Sequence, residues 1–584
     1  MGRHCSKAPR FETTDLVLKN LHPLGGFMGW QPNQETSDFI RHLALQNSLQ
    51  YDGKGQAGSV ISRIMGSRPE LRSHGKEVAP LVASEVNRAN QLANTIGLEA
   101  IEKILQDEAP GLLEKKKQTR REGLPELPNL NGRTPVLRFA PNPNGPLSFG
   151  HSRGLVINSQ YAKNLDGELI LRFDDTDTTV KPPMLEAYDL IPQQLEWLCG
   201  FPAHRIIIAS ERMGDYHGYL KILLEKNFGY VCTCTSEEFK SYREKLSPCP
   251  CRENTPELNL EKWNMMNDKD GYQPGDAVVR VKTDMASKNP ALRDWPAARI
   301  QTNPHPRVGD LWRVWPLLDF QSAIEDHLQG VTHIIRGKDL MDSTRKQKLL
   351  YEHFQWKYPE TIYWGRVKVL EFGGFSTSQM KKDIDSGTFG GWDDPRLPTL
   401  GALKRRGIMP ESLRKFWIEL GLTQKDISVP LSTLYSHNTK IIEENAPRLS
   451  FVRNPVKIDI NGEIDKKGSI PSHPDNNSFA DRKYDLTNGV WIESNDYGAK
   501  VRLKDLCDID ESGNVESIDR SDNRSIIHWV SLFNKNKLLI AKGHDLESVE
   551  GLLEVHNYPI GTIVQLERVG YAIIEEDGLL MVHD

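Results

Sequence analysis

The stretch Arg138–Gly154, RFAPNPNGPLSFGHSRG, constrains this chain more than any other. Pro135-Val136-Leu137 precede it, and with Phe139 and Ala140 they make an apolar run suited to a buried strand. Pro141, Asn142, Pro143, Asn144, Gly145 and Pro146 follow, and neither strand nor helix continues through them. Leu147, Ser148 and Phe149 lead to Gly150, His151, Ser152, Arg153 and Gly154, and then to a helix-capable run from Leu155 to Asn164. Strand, loop, helix is the arrangement that aims backbone N–H groups and a helix N-terminus at a phosphate. Gly150 has no side chain, so a flat ring can lie on its backbone. His151 can donate to a phosphate or ribose oxygen. Taken alone, a Gly-His pair after a proline loop is also what an inert surface turn would show.

The chain beyond this stretch alternates strand and helix. Glu168 to Phe173 reads as a strand running into Asp174-Asp175-Thr176-Asp177, Tyr188 to Leu198 as a helix, and Ile206 to Ala209 as a short strand. That rhythm predicts a parallel sheet with ligands at the carboxyl ends of its strands, where Arg138 and Asp174 both fall. Residues 211–310 break the rhythm and carry Cys232-Thr233-Cys234 and Cys249-Pro250-Cys251. Two tight cysteine pairs can hold structural Zn2+, and with all four thiolates as ligands no position stays open for catalysis. Four reduced cysteines in a small subdomain are the alternative. From Asp310 the α/β pattern resumes, with strands at His333–Arg336 and Val367–Leu370. The loop Glu371–Lys382, EFGGFSTSQMKK, precedes Gly391–Leu400 and helices carrying Arg405-Arg406 and Arg414-Lys415. Beyond 448, alternating stretches such as Val456–Ile460, Val501–Leu506, Ile526–Ser531 and Thr562–Leu566 predict one or two β-barrels.

Ahead of the signature, residues 1–38 show no period and read as a flexible leader, with Met28 as an alternative start. Residues 39–122 read as helical. Ile40, Leu43, Leu45 and Leu49 form one face, and further helices run from Glu77 to Leu92 and from Leu98 to Lys117 with a break at Pro110. A basic tail, Lys115 to Arg121, is either a solvated helix end or an RNA contact. No run approaches the ~18 apolar residues of a membrane span, and no apolar segment follows the N-terminal charges as in a secretory signal. A net charge of −5 gives no global basic field, so a nucleic-acid partner requires a local positive surface. Seven cysteines among 584 residues do not suggest a disulfide scaffold, and a reducing cytoplasm fits.

The whole string 138–154 resembles the nucleotide-binding motif of class I aminoacyl-tRNA synthetases in the form used by the glutamyl and glutaminyl branch. Ser148 stands where that family has the first histidine of His-Ile-Gly-His. The resemblance implies that Pro141 to His151 bind ATP, and that Arg138, Ala140, Asn142 and Asp174 meet the amino acid, Asp174 receiving its ammonium. Ser376-Thr377-Ser378-Gln379 falls where the family has Lys-Met-Ser-Lys-Ser, with Gln379 in place of a lysine and Lys381 or Lys382 as its replacement. His151, Lys381 and Lys382 are thus the expected catalytic groups. Arg336 in Gly330–Asp339 is where glutamyl enzymes place an arginine for the side-chain carboxylate and glutaminyl enzymes lack one. Leu318 occupies a position where relatives often have tyrosine.

The implied protein is an archaeal-type glutamyl-tRNA synthetase, a multidomain α/β chain. Its expected parts are a Rossmann-like parallel-sheet catalytic domain in two halves (133–210 and 311–390), an inserted acceptor-binding subdomain (211–310), a helical N-terminal extension (39–122), a helical connection (391–447) and β-barrel anticodon-binding domains (448–584). It would activate L-glutamate with ATP and Mg2+ and charge tRNA(Glu), releasing AMP and diphosphate. The resemblance leaves open tRNA(Gln) as a second substrate, with a tRNA-dependent amidotransferase beside it. Two rival readings are a glutaminyl enzyme, against which Arg336 weighs, and a tRNA-binding protein that has lost catalysis, suggested by Ser148, Leu318 and Gln379.

Overall fold

The computed structural model describes residues 30–113, 123–371 and 375–584. The proposed start at Met28, most of the expected leader and the basic tail Lys115–Arg121 lie outside the described residues. The chain divides into two compact units at Arg120/Arg121.

The first unit is helical: α1 Gln34–Gln50, α2 Ala57–Ser67, α3 Gly75–Ile96 and α4 Leu98–Glu108. The Asn33 side chain accepts from Thr36 N at 2.9 Å, and this cap starts α1 inside the stretch 1–38 that was expected to be a leader. Ile40, Leu43 and Leu45 are buried as their spacing predicts, against Val78, Val82, Val86, Ile101 and Leu105. The helix that starts at Leu98 breaks at Pro110 as expected, α4 ending at Glu108, and residues 114–117 of the expected helix lie outside the described residues. Pro110, lacking an N–H, opens a short 3-10 turn instead.

The second unit is built on parallel strands. β1 Val136–Phe139, α5 Phe149–Asn164, β2 Glu168–Phe173, α6 Leu185–Cys199 and β3 Arg205–Ile208 come first. β1 pairs with β2 and β2 with β3, all parallel. α5 begins at Phe149, earlier than the apolar run predicts, because Ser148 caps it. An antiparallel insertion follows: α7 Met213–Glu225, β4 Gly229–Cys232, α8 Ser236–Glu244, α9 Pro256–Asn267, β5 Val278–Val281, β6 Pro296–Ile300 and β7 Val314–Pro316. Its sheet, in the order β4-β5-β6-β7, runs past residue 310 because Arg299 pairs with Trp315.

The chain then returns through α10 Leu318–Leu328, β8 His333–Gly337, α11 Met341–Phe354 and β9 Glu360–Trp364. β8 and β9 are parallel, and Thr332 N donates to Val136 O at 3.0 Å, which sets β8 beside β1. Spatial order is therefore β3-β2-β1-β8-β9, and its direction reverses between β1 and β8. Open parallel sheets bind ligands at that reversal, outside the carboxyl ends of the strands. β10 Val367–Val369, α12 Thr377–Asp385, α13 Leu400–Arg405, α14 Pro410–Leu420, β11 Ile427–Val429 and α15 Leu431–Ile442 complete the connection. α14 and α15 pack with α5 and α6 in one core around Leu155, Ile191, Leu413 and Leu434.

The remainder is β-rich. A seven-stranded sheet runs from Arg448–Leu449 at one edge to Phe451–Arg453 at the other. Only Ser450 separates those edge strands in the chain, so the sheet comes close to closing as a barrel. A second core gathers Ile458, Val490, Val501, Leu503 and Ile527 beneath a four-stranded sheet and two two-stranded sheets. The strand expected over Val501–Leu506 ends at Leu503, where Asp505, at φ 58°, turns the chain. Among the described residues no helix is long and apolar enough to cross a membrane.

Candidate active site

A cleft of about 720 Å³ opens at the carboxyl ends of β1, β2 and β8. Arg138, Ala140, Asn142, Asn144, Gly150, His151, Asp174 and Arg336 all line it, together with Ser376, Thr377 and Ser378. The strands, α5 and α12 therefore converge on the reversal point of the sheet.

One end of the cleft holds an array of buried charges. Arg172, on β2, is 1% exposed. Its Nε donates to Asp174 Oδ1 at 2.7 Å, its Nη1 to Asp326 Oδ1 at 2.7 Å and its Nη2 to Ser322 Oγ at 2.7 Å. Asp326, on α10, also accepts from Arg138 Nε at 3.2 Å. Gln321 Nε2 donates to Asp174 Oδ1 at 3.1 Å. Burial pushes the Asp174 carboxyl up against the pull of Arg172, so a second cation at this carboxylate would be welcome. The neighbouring Asp175 is fully occupied: Tyr188 Oη, Ser210 N and Ser210 Oγ all donate to it at 2.6–2.7 Å. Of the two adjacent acids, Asp174 faces the cleft and Asp175 braces the fold.

Arg336 is held differently. Its Nη2 donates to Thr344 Oγ1 at 2.6 Å, Gln347 Oε1 at 2.8 Å and Tyr358 Oη at 3.0 Å, all neutral acceptors. No carboxylate ion-pairs with it among the described residues, and desolvation with the nearby Arg138 lowers its pKa. Its Nη1 and both Nη atoms of Arg138 have no hydrogen-bond partner among the described residues. Counted together, Arg138, Arg172 and Arg336 against Asp174 and Asp326 leave one positive charge. The end of the cleft suits a small dicarboxylate with one ammonium group.

The other end is framed by helix N-termini. Ser148 Oγ accepts from His151 N at 3.4 Å, and Ser148 N donates to His151 Nδ1 at 3.2 Å, a reciprocal cap at the start of α5. That bond leaves the proton of the neutral ring on Nε2, free to donate into the cleft. Surrounding chain and the charge of Lys181 lower the His151 pKa. Above Gly150 the space is open; an added Cβ would meet only Ser148 Oγ, at 3.7 Å. At Gly145 a Cβ would lie 2.6 Å from Thr377 Cγ2, so the proline loop and the start of α12 approach closely because that residue is glycine. Ser376 caps α12 by accepting from Gln379 N at 3.2 Å. Pro143, Pro146, Leu147 and Phe149 are buried and shape the loop from beneath. Phe149 N donates to Pro398 O and Leu400 N to Leu147 O, both at 2.8 Å, so the stretch Gly391–Leu400 backs the loop.

Two expected residues are not brought in. Lys381 and Lys382 are exposed on α12 beyond its first turn and do not line the cleft. Gln379 turns its amide to Asp383 Oδ1, 2.8 Å away on the same helix. Leu318, at the start of α10, does line the cleft. Sequence reasoning passed over Arg172, Asp326, Gln347, Tyr358 and Lys181. Arg172 had a signal, since a charge within the apolar strand ELILRF must find partners when both faces are covered.

Apart from the cleft, Cys232, Cys234, Cys249 and Cys251 place their four Sγ atoms within 4.8 Å of one another. Cys232–Cys249 and Cys234–Cys251 are each 3.8 Å apart. Zn–S bonds of about 2.3 Å put tetrahedral sulfurs about 3.8 Å apart, so the donor set fits Zn2+.

The cap at Ser148 carries a test. Ser148→Ala should cost about 1 kcal/mol of stability, read as a lower urea midpoint, while Ser148→Thr keeps the acceptor and the midpoint. Equal midpoints for alanine and wild type would remove the capping role.

Known proteins resemble this chain over most of its length. The family model for class I tRNA synthetases (E and Q), catalytic domain, matches residues 135–444, and that for the anticodon-binding domain of the same family matches 446–528. A glutamate–tRNA ligase from Methanothrix thermoacetophila is 41% identical over 569 residues, covering 93% of this chain and 98% of that protein. One from Archaeoglobus fulgidus is 42% identical over 551 residues, covering 92% and 97%. A solved glutamate tRNA ligase from Elizabethkingia meningosepticum, in complex with its amino acid, aligns with a TM-score of 0.39 at 20% identity, over 53% of this chain and 70% of that one. With a signature loop, a reversal-point cleft and matches that span the catalytic and β-rich regions, the chain belongs to the class I tRNA synthetases of the glutamyl and glutaminyl type.

Proposed function

We propose that the chain is a glutamate–tRNA ligase that activates L-glutamate with ATP and transfers it to the 3′-terminal ribose of tRNA(Glu). The observation that carries this reading is Arg336: buried, bonded only to neutral oxygens among the described residues, and lining the cleft beside Arg138. A guanidinium so placed gains most from a carboxylate. Glutamate carries two carboxylates and one ammonium, which match the free nitrogens of Arg336 and Arg138 and the Asp174 carboxylate.

The chemistry follows from that placement. An α-carboxylate oxygen of glutamate attacks the α-phosphorus of ATP. The new O–P bond forms as the bond to the β-phosphate oxygen breaks, and diphosphate leaves. His151 Nε2–H and the N-termini of α5 and α12 offer donors where phosphate charge builds. Members of this class use ATP with Mg2+, which arrives on the nucleotide phosphates and spreads their charge. In the second step a ribose hydroxyl of the tRNA end attacks the acyl carbon and AMP departs. The adenine ring has open space over Gly150. Residues 211–310 take the acceptor end in this reading and the β-rich region beyond 448 reads the anticodon. The reaction runs in the cytoplasm, with translation.

ATP–diphosphate exchange and charging of purified tRNA(Glu) and tRNA(Gln), with glutamate and with glutamine, test the reading. Glutamate-dependent charging of tRNA(Glu) is the expected result. Glutamine as the preferred substrate would make this a glutaminyl enzyme, and no exchange under any condition would make it a binding protein. Charging of tRNA(Gln) with glutamate would call for an amidotransferase to finish the product. Arg336→Ala should raise the glutamate KM at least about tenfold, the loss of one charge-assisted bond; unchanged glutamate use would remove the assignment.

We also propose Zn2+ at Cys232, Cys234, Cys249 and Cys251 as a structural clamp joining β4 to the turn at Pro250. Elemental analysis of protein purified without chelator should find about one zinc per chain. Cys249→Ser should lower that content and the thermal midpoint together. A metal-free, fully stable wild type would reject the clamp.

A further inference from the structure

Adenylate formation places growing negative charge on the departing diphosphate, and a preorganised cation there lowers the barrier. The family's second motif supplies a lysine for a phosphate, but this chain has Gln379, whose amide is turned to Asp383. Lys381 and Lys382 stand outside the cleft. The basic residues among those that line it are Arg138, His151, Arg172, Lys181 and Arg336. The three arginines belong to the amino-acid end and are engaged with Asp174, Asp326, Thr344, Gln347 and Tyr358. That leaves His151 and Lys181 at the phosphate end.

Lys181 sits in the segment joining β2 to α6, and that segment is tied down on both sides. Asp177 Oδ1 accepts from Thr179 N at 3.0 Å and Val180 N at 2.9 Å, which fixes the turn. Thr178 N and Thr179 Oγ1 both donate to Gln301 Oε1 at 3.1 Å, and Asn303 Nδ2 donates to Thr178 O at 3.2 Å. On the far side Met184 N donates to Pro143 O at 2.8 Å, binding the segment to the proline loop. The backbone is held, yet the Lys181 side chain is exposed and has no hydrogen bond or ion pair among the described residues. Its charge reaches the His151 ring, whose pKa it lowers. Across the cleft lie Ser376, Thr377 and Ser378 at the start of α12.

We propose that Lys181 is the cation that binds the leaving diphosphate, in the place that Gln379 vacates. The inference rests on the ligase reading. In this arrangement the Lys181 ammonium meets the β- and γ-phosphate oxygens from the β2–α6 side, while the neutral start of α12 closes over them with hydroxyl and backbone donors. A lysine on a flexible stem can follow the phosphates as the bond to the α-phosphate lengthens.

The test uses the full chain with tRNA(Glu). Lys181→Ala should lower the rate of ATP–diphosphate exchange about tenfold to a hundredfold and weaken ATP or diphosphate binding, with the glutamate KM within about twofold of wild type. Lys181→Arg should recover most of the rate. Transfer from adenylate already formed on the enzyme, followed in a single turnover, should keep its wild-type rate in both variants. Exchange unchanged in Lys181→Ala overturns the proposal. So does loss of exchange in Lys381→Ala/Lys382→Ala with Lys181→Ala unaffected, which returns the role to α12. Equal losses in exchange, transfer and glutamate KM would mark a structural residue and also overturn it. A wild-type chain that performs no exchange with glutamate would instead remove the ligase reading, and this role with it.

Discussion

The buried array of Arg138, Asp326, Arg172 and Asp174 is the interaction on which the site depends. Taking charges out of water is costly, and the array is tolerable only because every buried carboxylate touches a guanidinium. Arg172 stands at its centre and bonds Asp174, just past β2, and Ser322 and Asp326 of α10 at once. It fixes Asp174 at the mouth of the cleft and, through Asp326, turns Arg138 so that its Nη atoms stay free. Removing Arg172 would leave Asp174 buried without a guanidinium hydrogen-bonded to it, while Asp326 kept Arg138. The array therefore sets the cleft-facing Arg138 and Asp174, in part through Asp326 behind them.

The phosphate end rests on a different constraint, the close approach of three backbone segments. The proline loop, the turn at Pro398 and the start of α12 meet where Ser148 bridges to Thr399 and Gly145 lies under Thr377. Prolines remove donors the loop could not satisfy, and glycine removes the Cβ that would hold α12 away. Arg153 locks the layer behind, donating to Gly365 O at 2.7 Å and Gly421 O at 2.9 Å from beneath Trp364 and Trp417. Sequence positions far apart thus become one wall of the cleft.

Much of this was legible beforehand, and the limits have physical reasons. Strand and helix alternation gave the parallel sheet because both faces are covered, which makes its strands short apolar runs between helical patterns. The signature loop pointed to one wall of the cleft, since its prolines, glycine and histidine act through local geometry. Arg336 was legible through resemblance to a family, but its neutral partners were not, because Thr344, Gln347 and Tyr358 reach it only after β8, α11 and the start of β9 pack together. That Lys381 and Lys382 lie off the cleft was not legible for a related reason: their spacing after Ser378 says nothing about which face of α12 meets it. Helix starts at Gln34 and Phe149 were misplaced because a single capping side chain, Asn33 or Ser148, outweighs apolar periodicity at a terminus.

The contrast between Arg336 and its neighbours bears on selectivity. Arg138 and Arg172 already have carboxylate partners, so their charge is largely met before substrate arrives. Among the described residues Arg336 has only neutral hydrogen-bond acceptors, and desolvation lowers its pKa, so in the proposed reading an anion there would gain more than at either neighbour. A γ-carboxylate supplies that anion; a γ-amide offers one oxygen and no charge. The difference, about 1.5–3 kcal/mol for a charge-assisted bond, corresponds to roughly tenfold to a hundredfold in favour of glutamate. Had Arg336 carried a fixed aspartate partner, the same position would be electrically satisfied and nearly indifferent between acid and amide. On the proposed ligase reading, selectivity comes from a partner withheld: the fold holds Arg336 against neutral acceptors, and one substrate would complete it.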